Sequence, residues 1–221
     1  MKVNMANNNL IEHGPATAEQ LITAPNLHIV DMSGNHLGEH GPATAAHLAT
    51  APNLHTLDIS ENQFREHGPD TSRELATGPN LHTLDISWNE LRKHGPATAE
   101  QLATAPNLHT LDISHNQLRE HGPATAEQLA TSDSIRVVNM ANNELCSGQA
   151  IAIAKSFAYK DNPIKLSIDI EFHHPISEAI KQDNDQMHAF FEQAISDTFG
   201  HTPPGLLGLM EGYADFLIEL E

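Results

Sequence analysis

An asparagine recurs every 27 residues through the first two thirds of this chain. The six copies are Asn8, Asn35, Asn62, Asn89, Asn116 and Asn143, and the sequence around each one repeats with it. A unit of this size cannot normally bury its apolar face alone, so successive copies stack and share one continuous core. The period therefore predicts an elongated array of stacked repeats, a solenoid.

The fourth copy shows the pattern of one repeat most clearly. Residues 81–91 read LHTLDISWNEL, and HGP follows at 94–96. Alternation of apolar and polar residues before the asparagine predicts a half-buried strand, and strands of successive copies should lie parallel, about 4.8 Å apart. The glycine is predicted to cap a short helix and the proline to take its first position. Asparagine after the strand is predicted to satisfy backbone groups that the turn removes from the ladder.

These residues resemble the leucine-rich repeat family, whose hallmark is LxxLxLxxNxL. Gly95, Ala99 and Leu102 resemble in particular the helix-containing ribonuclease-inhibitor subclass. The resemblance covers roughly residues 1–158 in six repeats. It implies an α/β solenoid with parallel strands on the concave face and helices on the convex face.

The remaining residues, 159–221, do not carry the repeat. Alternation from Ile164 to Phe172 predicts a seventh strand, and two apolar stripes at helical spacing follow it on either side of a break at Gly200–Pro204. We interpret these as a two-helix C-terminal cap, with a docking helix for a second partner as the alternative. At the other end no polar cap precedes Val3 and Met5, which predicts either self-association through an uncapped N-terminal end or a cap upstream of these residues. Fraying of the first repeat is the alternative.

The charge balance narrows the classes of partner. A formal net charge of −18 repels phosphate backbones and anionic lipid headgroups, so neither nucleic acid nor a membrane is expected to bind. A single cysteine, Cys146, and a start without an apolar signal-peptide core predict a reducing, cytosolic compartment. Cys146 is interpreted as a packing residue rather than a nucleophile. Nine of the sixteen histidines belong to two copied columns, and neither a metal site nor a cofactor is predicted.

An acidic column is the first candidate for partner binding. It occupies the outward strand position in four successive repeats: Asp31, Asp58, Asp85 and Asp112. Like charges about 5 Å apart repel by roughly 0.8 kcal/mol even in water, so a basic protein partner would reduce the repulsion between these aspartates. The alternative is that duplication has preserved the aspartates and that neighbouring hydroxyls stabilise them.

Positions that differ between otherwise similar copies are the second candidate. Before the asparagine stand Asn7, Gly34, Glu61, Trp88, His115 and Asn142, and other variable columns follow it. Trp88 is the only tryptophan, and aromatic and arginine residues are enriched in interface hot spots. We therefore predict a concave binding face centred on Trp88 with Glu61 and His115, flanked by Arg65, Arg92 and Arg119. Neutral drift of exposed residues is the alternative.

These patterns predict a non-enzymatic module that binds a partner protein through its concave face. The near-identical repeats and acidic C-terminal residues also resemble leucine-rich-repeat effectors that intracellular bacteria secrete into host cells. Translocation by a bacterial secretion system is the corresponding expectation. The alternative, from resemblance at the level of the fold, is a regulator of a small GTPase.

Overall fold

The computed structural model describes residues 1–158 and 164–168, and within them the chain forms a solenoid. Each repeat contributes one three-residue strand to a parallel sheet of seven strands. The strands are β1 (Lys2–Asn4), β2 (Ile29–Asp31), β3 (Thr56–Asp58), β4 (Thr83–Asp85), β5 (Thr110–Asp112), β6 (Val137–Asn139) and β7 (Lys165–Ser167). Their spatial order is their sequence order, so each strand pairs only with its neighbours in the chain.

Register between strands follows the sequence period through the repeats. Leu57 of β3 pairs with Leu84 of β4, and Leu84 with Leu111 of β5. These middle residues are fully buried, whereas the threonine and aspartate on either side are half-buried. This confirms the predicted alternation and fixes which side chains form the outer face of the sheet, here called the concave face.

Helices return the chain on the other side of the core. They are α1 (Gly14–Leu21), α2 (Gly41–Ala49), α3 (Gly68–Ala76), α4 (Gly95–Ala103), α5 (Gly122–Leu129) and α6 (Ser147–Ala158). In the first five repeats a 3₁₀ turn leads directly into the helix, at Ile11–His13, Gly38–His40, Arg65–His67, Arg92–His94 and Arg119–His121.

The start of these helices corrects one sequence prediction. Glycine is not the cap but the first helical residue, as in Gly95 of α4, and His94 takes the capping position without a side-chain bond. The 3₁₀ turn explains the difference. Its backbone is already helical at His94 (φ −88°, ψ −5°), so no extended capping residue separates turn from helix.

The core is continuous along the solenoid, as expected if no repeat is stable alone. Ala99 and Leu102 of α4 are buried against the strands, while Glu100 on the same helix is exposed. Towards the chain start Val3 and Leu10 are only partly buried, and the predicted self-association there stays a prediction. At the other end β7 lies within the predicted seventh strand, but the two predicted cap helices lie outside the described residues.

Candidate functional site

The asparagine column forms a buried ladder at the turn after each strand. Asn89 is fully buried, and its Nδ2 donates to the carbonyls of Ile59 (3.1 Å), Ile86 (3.0 Å) and Ser87 (3.1 Å). Its Oδ1 accepts the N–H groups of Asn62 (2.9 Å) and Phe64 (3.4 Å) in the preceding repeat. The predicted structural role of this asparagine is thereby confirmed, since one side chain bonds backbone in two repeats.

An alternating left-handed backbone makes this ladder possible. In the fourth repeat Trp88 (φ 57°), Glu90 (φ 54°) and Arg92 (φ 49°) are all left-handed. The residues between them, Asn89 and Leu91, consequently turn their N–H groups together onto the Oδ1 atom of Asn116 in the next repeat. Such a concave pair of amide groups is a nest, which here holds a side-chain amide oxygen instead of an anion.

Through the first five repeats the left-handed positions are the residue before each asparagine, the residue after it and the residue three places after it, all of which vary between copies. A non-glycine residue pays about 1 kcal/mol or more for this backbone, and glycine avoids most of that cost. Only the second repeat uses glycine at two of the three positions, Gly34 and Gly38. In the other described repeats, residues other than glycine therefore adopt a strained backbone at these positions. The contacts of their side chains can show what offsets this cost.

The predicted aspartate ladder is present on the concave face. Asp31, Asp58, Asp85 and Asp112 are paired across neighbouring strands. Oδ1 of Asp58 accepts the backbone N–H (3.0 Å) and hydroxyl (2.7 Å) of Ser60, and the same arrangement recurs at Asp31 and Asp112. The serine bonds partly offset the repulsion, as the alternative interpretation had it.

Asparagines stand at both ends of this ladder. Nδ2 of Asn4 donates to Oδ2 of Asp31 (3.0 Å), and Nδ2 of Asn139 donates to Oδ2 of Asp112 (2.8 Å). Burial raises the pKa of Asp85, and the carboxylates of Asp112 and Asp58 raise it further. The hydrogen bonds from Ser87 lower the pKa but do not cancel this rise. The uncompensated negative charge is thus concentrated at the middle of the concave face.

Trp88 follows Asp85 by three residues in the fourth repeat and is half exposed. Its indole stacks on the imidazole of His115, with ring centroids 3.9 Å apart and planes 12° from parallel. About 52% of its surface is accessible, although the core buries most other large apolar side chains. The structure therefore brings Trp88 and His115, at the equivalent positions of neighbouring repeats, into one ring stack, and their role in partner binding stays a prediction.

The three arginines make their polar contacts in a separate cleft of about 260 Å³, which Trp88 does not line. Nε of Arg65 lies 3.2 Å from Oε2 of Glu90, which also lies 3.0 Å from Nη2 of Arg92. Nε of Arg92 bonds Oε1 of Gln117 (2.9 Å), and Arg119 pairs with Glu144 (2.6 Å). The arginines thus link neighbouring repeats through exposed ion pairs and hydrogen bonds, each of which contributes little to stability.

A column of stacked histidines borders the strands where they begin. Rings of His55 and His82 stack at 4.2 Å, and those of His82 and His109 at 5.1 Å. Packing against these neighbours removes water from His55 and lowers its pKa, and repulsion from His82, His28 and His109 lowers it further. Sequence reasoning attributed these histidines to copying alone. Their common 27-residue spacing was the signal that would have predicted the stack.

Two further properties of the described residues bear on function. No group of three or more His, Cys, Asp or Glu side chains among residues 1–158 and 164–168 is arranged to hold a metal ion. Within the same ranges, none of the helices has the length and apolar character needed to span a bilayer.

Comparisons with known proteins agree with the architecture. One family model described as leucine rich repeat matches residues 53–75 and 107–129, and a second with the same description matches residues 79–95. These segments fall in the third, fourth and fifth repeats. A search of curated proteins found no significant match. Repeats of this family generally mediate protein–protein interactions on non-enzymatic scaffolds. The third to fifth repeats thus match leucine-rich repeats in sequence, and the parallel sheet with returning helices is the fold of an α/β leucine-rich-repeat solenoid.

Proposed function

We propose that the protein binds a partner protein through the centre of its concave face. The observation that carries the proposal is Trp88, which is half exposed and held in a left-handed backbone three residues after Asp85 of the carboxylate ladder. Folding alone does not require a large apolar side chain at this place, because glycine takes the equivalent position in the second repeat. Aromatic side chains surrounded by polar groups are typical anchors of protein interfaces.

Charge indicates what kind of surface the partner presents. Asp58 and Asp85 pair across neighbouring strands, Glu61 and Trp88 follow them by three residues in the same two repeats, and the chain as a whole is strongly acidic. A basic partner surface gains from this field in rate of association and in specificity. We therefore infer a partner whose contact surface carries positive charge, with Trp88 covered at its centre.

Capture from a cell lysate by the immobilised full chain tests the proposal. Glu100→Gln supplies a matched control, because Glu100 belongs to the same repeat but is exposed on helix α4. We expect one partner to be retained by the intact chain and by Glu100→Gln, but to be lost with Trp88→Ala. Retention should weaken as salt rises. A partner held equally well by Trp88→Ala and by the double variant Asp58→Asn with Asp85→Asn would refute the concave face as the binding site.

Secretion into a host cell and regulation of a small GTPase stay predictions from resemblance. The first is tested by whether a reporter fused to the full chain reaches host cytosol from bacteria. The second is tested by a GTPase-turnover assay with and without the protein. Faster turnover that survives Trp88→Ala would separate such an activity from partner capture.

A further inference from the structure

Trp88 offers only one of its two ring faces to a ligand. His115, which stacks on the other face, belongs to the next repeat along the solenoid. Because the two rings are nearly parallel, the free face of the indole points back towards the preceding repeat. No second ring contact and no cation covers that face within residues 1–158 and 164–168.

The position that the free face points towards is occupied by Glu61. This glutamate stands at the same place in the third repeat as Trp88 does in the fourth, and its backbone is left-handed as well (φ 56°). Its side chain is exposed and, within the described part of the chain, forms no ion pair. Arg65 and Arg119 pair with Glu90 and Glu144 instead, so Glu61 is not part of that network of ion pairs.

The nearby ladder supplies two more acceptors. Oδ2 of Asp31 and Oδ2 of Asp112 each accept a hydrogen bond from an asparagine at the end of the ladder. For Asp58, by contrast, both hydrogen bonds from the described residues come from Ser60 and go to Oδ1. Asp85 likewise accepts from the serine of its own repeat, Ser87, and not from an asparagine. The middle of the ladder therefore keeps two carboxylates that no asparagine neutralises, in the same two repeats as Glu61 and Trp88.

We propose that the free face of Trp88, together with the carboxylates of Glu61, Asp58 and Asp85, is a subsite for an arginine side chain of the partner. This deepens the proposed function and rests on it. A guanidinium is planar, so it stacks on an indole while its N–H groups, directed outward in its plane, bond carboxylates on the side. The subsite offers one ring face and acceptors of the matching charge.

Other side chains satisfy only part of this arrangement. A lysine ammonium carries the charge but is a compact, strongly hydrated ion that cannot stack as a plane. An aromatic or aliphatic side chain covers the indole but leaves the carboxylates to lose water without a partner, which is unfavourable. Arginine alone among the common side chains satisfies both the ring and the carboxylates.

The single tryptophan makes the subsite directly observable. The full chain, labelled with ¹⁵N, is titrated with the blocked tripeptide Gly-Arg-Gly while the indole N–H resonance of Trp88 is followed. Blocked Gly-Lys-Gly and Gly-citrulline-Gly are the matched probes, since citrulline keeps the planar shape and loses the charge. We expect a saturable shift with the arginine peptide and at least roughly fivefold weaker binding of the other two, because citrulline loses the charge that strengthens the hydrogen bonds and lysine cannot stack on the indole as a plane.

Variants identify the residues that form the subsite. Glu61→Gln should weaken the arginine peptide about fivefold, and Glu100→Gln should leave it unchanged, with both variants checked for the same thermal transition as the intact chain. Equal shifts from all three peptides, no shift with arginine, or undiminished binding to Glu61→Gln would each overturn the subsite. If lysate capture still depends on Trp88 in that case, the proposed function stands and only the arginine assignment fails.

Discussion

Two sets of residues share the turn after each strand, and they differ in almost every physical respect. From Asn35 to Asn143 the asparagines are buried and bonded to backbone in the same way each time. The left-handed residues beside them vary from copy to copy, and Trp88 among them is half exposed. The comparison shows that one turn contains two kinds of position. The asparagines form a constant framework, and the left-handed residues beside them form a variable surface.

The division has a physical origin in the nest. The left-handed residues must keep their backbone so that the next asparagine can be held, but that requirement does not involve their side chains. Any residue able to tolerate the conformation can stand there. Variation is therefore permitted at these positions without loss of the ladder, and the side chains become available for contacts between repeats or with a partner.

Removal of a framework amide should have the largest effect on stability. Asn89→Ala abolishes bonds to three carbonyls and two N–H groups at a fully buried place. Buried backbone groups without partners cost about 1–3 kcal/mol each, so we expect a loss of about 3–5 kcal/mol after partial relaxation. Urea denaturation followed by circular dichroism measures the free energy of unfolding.

The first repeat supplies a control for this prediction. Asn8 is exposed, and its Nδ2 donates only to the carbonyls of Met5 and Ala6. Asn8→Ala should cost less than about 1 kcal/mol, because water replaces the lost bonds. Similar losses for Asn8→Ala and Asn89→Ala would contradict the account of a buried ladder.

A glycine at a helix start should show the next largest effect. A Cβ atom at Gly41 would lie 2.7 Å from the ring of Phe64 and from Oγ1 of Thr71, both in the next repeat. Gly41→Ala should therefore destabilise the protein by about 1–3 kcal/mol through overpacking. Gly148 in α6 has open space at the same atom, and Gly148→Ala should stabilise by about 0.5–1 kcal/mol through helix propensity. A gain at both positions would show that repeats are packed more loosely than described.

The framework could be predicted from the sequence because the 27-residue period and the alternation of apolar and polar residues determine it. Strand register, buried leucines and the asparagine role all follow from a 27-residue spacing and alternation. The left-handed backbone did not follow, because Trp, Glu and Arg individually favour other conformations and only the packing of the next repeat enforces this one. The ion pairs of Arg65 with Glu90 and of Arg119 with Glu144 were missed for a related reason, since they join residues 25 apart rather than one period apart.

Charge in the ladder should have a smaller effect that depends on pH. Burial raises the pKa of Asp85 in the folded state, so folding disfavours its ionised form and is assisted as pH falls through that pKa. Asp85→Asn should stabilise the protein at pH 7 by about 0.5 kcal/mol, the scale of one like-charge pair across strands. The advantage over the intact chain should disappear in acid, below the ordinary pKa of an aspartate. A gain equally large at pH 3 and pH 7 would mean that charge is not its cause.

The most direct test of the division between framework and surface is Trp88→Gly, studied for stability and for binding on the same preparation. Glycine relieves the left-handed backbone but loses the stack on His115, and each contribution is about 1 kcal/mol. We predict that the free energy of unfolding in urea stays within about 1 kcal/mol of the intact chain. Capture of the partner and the response to the arginine peptide should both be lost. A fall in stability of several kcal/mol with binding retained would contradict the account, because Trp88 would then belong to the framework.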